Sequence, residues 1–128
     1  MPRVTFDSLE INPKELKSTK NPLLGFDGKR VEPIGTVELM VRAAEKNLVE
    51  SFVVVEIHPS YNLLMGRGWI YRVQGVPSTL HQVMRCISPD GSKVIDIRRD
   101  QVAAKECYLV TLKAAGKGQT HARSADEQ

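Results

Sequence analysis

The chain is poor in aromatic residues and has no long apolar run. Among 128 residues there are three Phe, three Tyr and one Trp. No apolar run approaches the roughly 20 residues that a membrane-spanning helix needs, so a transmembrane helix is excluded. The N-terminal stretch MPRVTFDSLE lacks the apolar core of a secretory signal. These absences predict a soluble globular domain that is cytoplasmic or nuclear and not secreted.

Cysteine is also scarce, because Cys86 and Cys107 are the only two. Together with His58 and His81 they form no pair at the short spacing of a zinc motif, so neither a metal nor a cofactor is expected. Both cysteines are interpreted as small core residues with free thiols.

The net charge of +3 is spread along the chain without interleaved aromatics. Nucleic acid and membranes are therefore not expected partners.

Hydrophobic periodicity predicts a mainly β protein. Residues 37–57 read as a β-hairpin, since apolar and polar side chains alternate in its first strand. The centre of its second strand, Phe52–Val55, is apolar on both faces and should lie deep in the fold. Leu80–Ile87 and Lys93–Arg98 read as two further strands, joined by a Ser-Pro-Asp-Gly-Ser turn.

The predicted organisation has four parts. Residues 1–18 form a lead-in segment with a possible short helix, and 19–99 form the β domain. A C-terminal helix over 100–115 starts at Asp100, a favourable N-cap residue. Residues 116–128 are polar and glycine-containing, which predicts a disordered tail or linker.

Several short motifs follow one another in a specific order. They are GFDG (25–28), GTVEL (35–39), FVVV (52–55), YNLLMGR (61–67), VPSTLHQ (76–82), DQ (100–101) and CY (107–108). Over roughly residues 20–110 this order resembles the retropepsin-like aspartic protease region of gypsy-type LTR retrotransposon polyproteins from plants. The resemblance implies a partial retropepsin-like (acid-protease) β-barrel with a ψ-loop, followed by the C-terminal helix.

The resemblance also implies roles for two segments. One segment would be the tip of a flap that closes over a bound peptide: Gly25, Phe26, Asp27 and Gly28. The other would be the inner strand of the ψ-loop that supports the catalytic turn: Leu63, Leu64, Met65, Gly66 and Arg67. The three apolar side chains of that strand would fill the core, and Gly66 would let the backbone pass close to the catalytic loop. The next stretch, Trp69–Arg72, could turn helical.

The catalytic carboxylate of that family is missing. Aspartic proteases use two carboxylates as general acid and base, and retropepsin-like chains supply one each from an Asp-Ser-Gly or Asp-Thr-Gly turn in a homodimer. Here Asp7-Ser8 is followed by Leu9, Asp27-Gly28 lacks the hydroxyl residue, and Asp90-Gly91 lies in a hairpin turn. The resemblance puts the catalytic triplet just upstream of Met1. We therefore expect a truncated fragment of a polyprotein hydrolase for proteolysis, inactive as given, whose complete domain would homodimerise and bind an extended peptide substrate.

Two other functions are compatible with the residues. A non-catalytic peptide-binding or dimerisation module would use the retained flap and groove. An enzyme of another class would use Ser78 or Thr79 with His81 as nucleophile and base. Residues so close along a strand are not expected to point at each other usefully, and no Asp partner is evident, so a structural strand is preferred there.

Overall fold

The computed structural model describes residues 1–25, 28–110 and 112–113. In chain order the elements of the first compact unit are α1 (Arg3–Ser8), a 3₁₀ turn (Pro13–Glu15), β1 (Leu23–Leu24), β2 (Arg30–Val31), β3 (Pro33–Ala43), β4 (Lys46–Val55), α2 (Arg67–Arg72), β5 (Val76–Ser78), β6 (Val83–Ile87) and β7 (Val94–Arg98). This unit comprises Met1–His58 and Asn62–Arg98. The protein is thus mainly β, as its periodicity predicts.

The second unit comprises Pro59–Tyr61 with the described part of Arg99–Gln128. It contains a C-terminal helix, α3 (101–110), and residues 112–113 are also helical. The Ala103 amide donates to Asp100 Oδ1 at 3.0 Å, which confirms the predicted N-cap. The predicted tail at 116–128 lies outside the described residues.

The β3–β4 hairpin is the longest paired element. Val37 lies opposite Phe52, and the register continues to Ala43 opposite Lys46. Along β3, Val37, Leu39 and Val41 point inward and the residues between them are exposed, so the predicted alternation is confirmed.

The turn of this hairpin has an unusual composition. Ala44 and Glu45 both have positive φ, 51° and 61°, as a two-residue type I′ turn requires, although neither is Gly or Asn. Contacts beyond the turn hold it in place. Ala44 is buried in a hydrophobic cluster, and Glu45 pairs with Lys93 at 2.7 Å. The usual Asn-Gly signal of such a turn is missing, so the local sequence does not mark its two central residues.

Two clusters of buried side chains form the core of the first unit. The first contains Phe6, Val37, Phe52 and Val54, with partly buried neighbours packed around them. The second contains Ala44, Val73 and Cys86, and Trp69 packs against it. Cys86 is therefore a small core residue, as predicted. The hairpin contributes to both clusters.

Strands β5, β6 and β7 form a three-stranded antiparallel sheet in that order. The expectation of a strand over 80–87 is wrong at its start, because residues 79–82 form a turn in which Gln82 has φ of 56°. Leu80 is 83% exposed there, so its apolar side chain does not belong to the core. The strand at 94–98 is confirmed.

The first residues of the chain pair with the end of β4. Pro2 forms a parallel bridge with Val55, and the Val55 amide donates to the Met1 carbonyl at 2.9 Å. The Met1 amine donates to the Val53 carbonyl at 2.7 Å, and its burial lowers the pKa of that amine. A second bridge joins Lys17 to Thr36 on β3. Neither bridge is visible in a local sequence pattern.

Sheet closure is not found. In the ranges that the structure describes, the sheets are two two-stranded ladders and one three-stranded ladder, and these form no closed barrel. All three ladders pair strands that follow one another along the chain.

The turn between β6 and β7 is built around Asp90. Its Oδ1 accepts hydrogen bonds from Ser88 Oγ at 2.6 Å, from the Ser92 amide at 3.0 Å and from Ser92 Oγ at 2.7 Å. These bonds favour the ionised carboxylate and lower the pKa of Asp90 to about 2. Gly91, with φ of +73°, supplies the left-handed residue that the turn needs. The Pro-Asp-Gly turn is thus confirmed.

Replacing Asp90 tests this turn. Because the pKa of Asp90 is lowered from 3.8 to about 2 in the folded chain, its ionised form stabilises the fold above pH 4. That contribution is lost as the pH falls from about 4 to about 2. In Asp90→Asn, urea-unfolding midpoints should be lower at neutral pH and should decline less over that acid window.

The control is Asp7→Asn, which removes an exposed carboxylate that lies 3.8 Å from Arg3. It should keep the acid decline of the natural chain. An Asp90→Asn variant whose midpoints run parallel to those of the natural chain from neutral pH to pH 2 would contradict the proposed role of the Asp90 carboxylate.

Candidate functional site

Two glycines of the GFDG motif, Gly25 and Gly28, lie between the strands of the short β1–β2 hairpin. Leu23 pairs with Val31 and Leu24 with Arg30. The Gly28 amide donates to the Gly25 carbonyl, and the Gly25 amide to the Lys29 carbonyl, each at 3.0 Å. Gly28 has φ of +77°, which only glycine adopts freely. The structure thus has a glycine-containing hairpin where a flap is expected, while Phe26 and Asp27 lie outside the described residues.

The segment expected as the inner ψ-loop strand is not a strand. Residues 61–66 have no regular secondary structure, so that part of the prediction is wrong. Leu63 and Met65 are partly buried and pack against the first core cluster, as expected. Leu64 is 68% exposed and does not fill the core.

Gly66 ends this irregular segment and caps the helix that follows. It is the N-cap of α2, and its carbonyl accepts from the Ile70 amide at 3.2 Å. Apart from its two chain neighbours, no atom of the described residues lies within 4 Å of a Cβ built on Gly66. The catalytic loop that Gly66 would approach is expected upstream of Met1, so that role stays a prediction. Arg67 is exposed in the first turn of α2, and the helical stretch at 69–72 is confirmed.

An apolar groove of about 450 Å³ lies beside this segment. Its lining is Leu9, Ile11, Leu39, Met40, Val41, Arg42, Phe52 and Leu63. Met40 is 63% exposed and Leu9 50% exposed, so apolar area is open to solvent. Such a concave apolar surface with one charged side chain at its rim suits an extended apolar chain better than a charged ligand.

Ser78 and His81 do contact each other, contrary to expectation. Ser78 Oγ lies 2.7 Å from His81 Nδ1, because β5 ends at Ser78 and the following turn folds His81 back. The same Oγ accepts from the His81 amide at 3.2 Å, as in a local serine turn. Sequence reasoning missed this contact because it treated residues 76–82 as one extended strand.

The carboxylate of Asp96, on the same three-stranded sheet, is bonded to an arginine. Asp96 accepts two hydrogen bonds from the Arg85 guanidinium, at 2.8 and 3.0 Å, and these lower the pKa of Asp96. A nucleophile–base pair works when a third group orients the base, and Asp96 is held by arginine instead. The Ser78–His81 contact is therefore interpreted as a turn contact between exposed polar side chains.

Comparison with protein-family models, with curated proteins and with solved structures gave no match.

Two further features bear on function. In the described ranges, no three His, Cys, Asp or Glu side chains are grouped closely enough to hold a metal ion. No helix in this part of the chain has the length and apolar character needed to cross a bilayer.

Leu63 and Leu64 form a matched pair that tests the packing of residues 61–66. Leu63→Ala should lower the free energy of unfolding by about 2 kcal/mol, since it removes side-chain atoms packed against the first core cluster. Leu64→Ala should change it by less than about 0.5 kcal/mol, because that side chain is exposed. Urea denaturation followed by tryptophan fluorescence measures both, and equal losses would contradict the assigned orientation of the segment.

Proposed function

We propose that this chain is the part of a retropepsin-like aspartic protease domain that follows the catalytic turn, within a gypsy-type retrotransposon polyprotein. As given it is catalytically inactive, since it holds no Asp-Ser-Gly or Asp-Thr-Gly triplet. The motif order supports the family, and the β3–β4 hairpin, the glycine-containing β1–β2 hairpin and the C-terminal helix are compatible with it. The partial barrel and ψ-loop are proposed for the complete domain.

The observation that carries the proposal is the parallel pairing of Met1 and Pro2 with β4. The Val53 carbonyl and the Val55 amide both point to the outer edge of β4, where they bond to Met1. By alternation, Ser51 directs its backbone groups to the same edge. A strand upstream of Met1 would continue along this edge toward Ser51, which borders a pocket of about 230 Å³. That is a suitable place for a strand that delivers a catalytic turn.

The groove and the short hairpin support a peptide substrate. A protease of this kind holds its substrate as an extended chain, with main-chain hydrogen bonds for affinity and apolar pockets for alternate side chains. The groove supplies apolar pockets, and the Gly25–Gly28 tip would supply a movable cover. The complete domain would be a homodimer, because two carboxylates are needed and one chain brings one.

A second candidate function is a peptide-binding module without chemistry, and the exposed apolar groove favours it. It would bind extended peptides in the same groove with the carboxylate absent. The two functions differ in what lies upstream of Met1 and in whether the purified chain retains peptide affinity.

The experiment that tests the proposal is to sequence the transcript upstream of Met1 in the same reading frame, and to assay the purified chain for peptide cleavage between about pH 4 and pH 6. We expect an upstream Asp-Ser-Gly or Asp-Thr-Gly and no cleavage by the chain as given, because a positioned general base is missing. An upstream frame without such a triplet would contradict the protease assignment.

If the upstream frame lacks the triplet, saturable binding of an extended apolar peptide by the purified chain would favour the peptide-binding module. Met40→Asp, at the exposed side of the groove, should then weaken binding, while Val94→Asp, exposed on β7 outside the groove, should not.

A further inference from the structure

A second concave surface covers the outer face of the β5–β6–β7 sheet. It has a volume of about 550 Å³ and is lined by Val76, Ser78, His81, Val83, Arg85, Asp96 and Arg98. The register places these residues in two cross-strand rows, since Val76 faces Arg85 and Arg85 faces Asp96, while Ser78 faces Val83 and Val83 faces Arg98. The opposite face of the sheet carries Met84, Cys86 and Ile95 into the second core cluster.

The charges of this cleft do not cancel. Arg85 forms the two-pronged ion pair with Asp96, so these two residues balance each other. Arg98 lies next along the same face, with its guanidinium 3.6 Å from Asp96 and its side chain 75% exposed. Asp96 is only 19% exposed, whereas Arg98 opens to solvent. The cleft therefore presents one cation in excess, and an anion would meet Arg98 before it meets Asp96.

Ser78 and His81 add polar groups beside this cation. The Ser78 hydroxyl accepts from the His81 amide at 3.2 Å and shares a second hydrogen bond with Nδ1 of the same ring at 2.7 Å. When the hydroxyl is the donor of that second bond, the ring proton sits on Nε2, which is then an N–H donor to a ligand. Arg98 and His81 line the same cleft, so each can donate to an oxygen of a planar anion bound there.

Apolar side chains line the rest of the cleft. Val76 is 69% exposed and Val83 is partly buried, so an apolar group bound there would be removed from water. The cleft volume is also far larger than a bare inorganic anion needs. We propose that this cleft binds a carboxylate carried on a branched or aromatic apolar body, either as a free acid or as the C terminus of a peptide. Arg98 and His81 would hold the carboxylate, and Val76 and Val83 the apolar part.

Amide chemical shifts of the ¹⁵N-labelled chain, titrated with 4-methylpentanoate, test this site. We expect saturable shifts centred on residues 76–85 and 96–98, with a Kd on the order of 1 mM for one exposed charge-assisted contact. The matched neutral amide, 4-methylpentanamide, should bind at least about tenfold more weakly, because it lacks the charge. N-acetyl-alanyl-leucine, as acid and as amide, reports on the peptide form. If its acid binds more tightly than 4-methylpentanoate, the ligand is a peptide C terminus. If the two acids bind with equal affinity, the ligand is the free acid.

Arg98→Gln should weaken binding of the acid about tenfold and leave the amide unchanged. The matched control is Arg30→Gln, which removes another exposed strand arginine with a single ion pair, to Glu32 at 2.9 Å, outside the cleft. It should leave binding unchanged. Equal affinities for acid and amide, equal affinity for inorganic phosphate, or shifts spread over the whole chain would each overturn the proposal. The first two comparisons need no variant, so they hold even if Arg98→Gln fails to fold.

Discussion

The β3–β4 hairpin is the constraint on which the first unit depends. Its inward-facing side chains Val37, Phe52 and Val54 lie in one core cluster, and its turn residue Ala44 lies in the other. A register shift by one residue would turn these side chains to solvent and would point the polar side chains of β3 into the core. Packing in both clusters therefore fixes the same register. The turn itself, with two non-glycine residues at positive φ, is held by packing and by the Glu45–Lys93 ion pair.

The edges of this hairpin carry the features that connect fold to function. Arg72 from α2 donates to the Val49 carbonyl at 2.7 Å and forms an ion pair with Glu50, which covers one part of the β4 edge. Met1 covers another part, at Val53 and Val55. Between them lies a short stretch of edge at Ser51, which borders a pocket of about 230 Å³ that Leu64 and Met65 also line. An open strand edge is where an extended segment adds through main-chain hydrogen bonds, and this is the physical basis of the proposed protease domain.

Local signals in the sequence were sufficient for some elements and not for others. Alternation predicted the inward face of β3, and Pro-Asp-Gly predicted the β6–β7 turn, because each signal is complete within a few residues. The family resemblance predicts a strand at 63–65, yet this run packs irregularly, since two side chains can be buried against the core without a ladder. The bridge from Pro2 to Val55 could not be predicted, because it joins residues far apart in the chain with no side-chain code of their own. The Ser78–His81 contact depended on where β5 ends, and element ends are poorly marked in a sequence.

The most direct test of the account is amide hydrogen exchange at Val55. Its N–H is bonded to the Met1 carbonyl, across the edge along which an upstream strand would run. If the N-terminal residues add to β4 as a parallel strand, the Val55 amide should exchange as slowly as the amides of the β3–β4 ladder. Exchange of the Val55 amide at the rate of an unstructured chain, with the ladder still protected, would contradict the parallel pairing and remove the structural support for a catalytic strand at that edge.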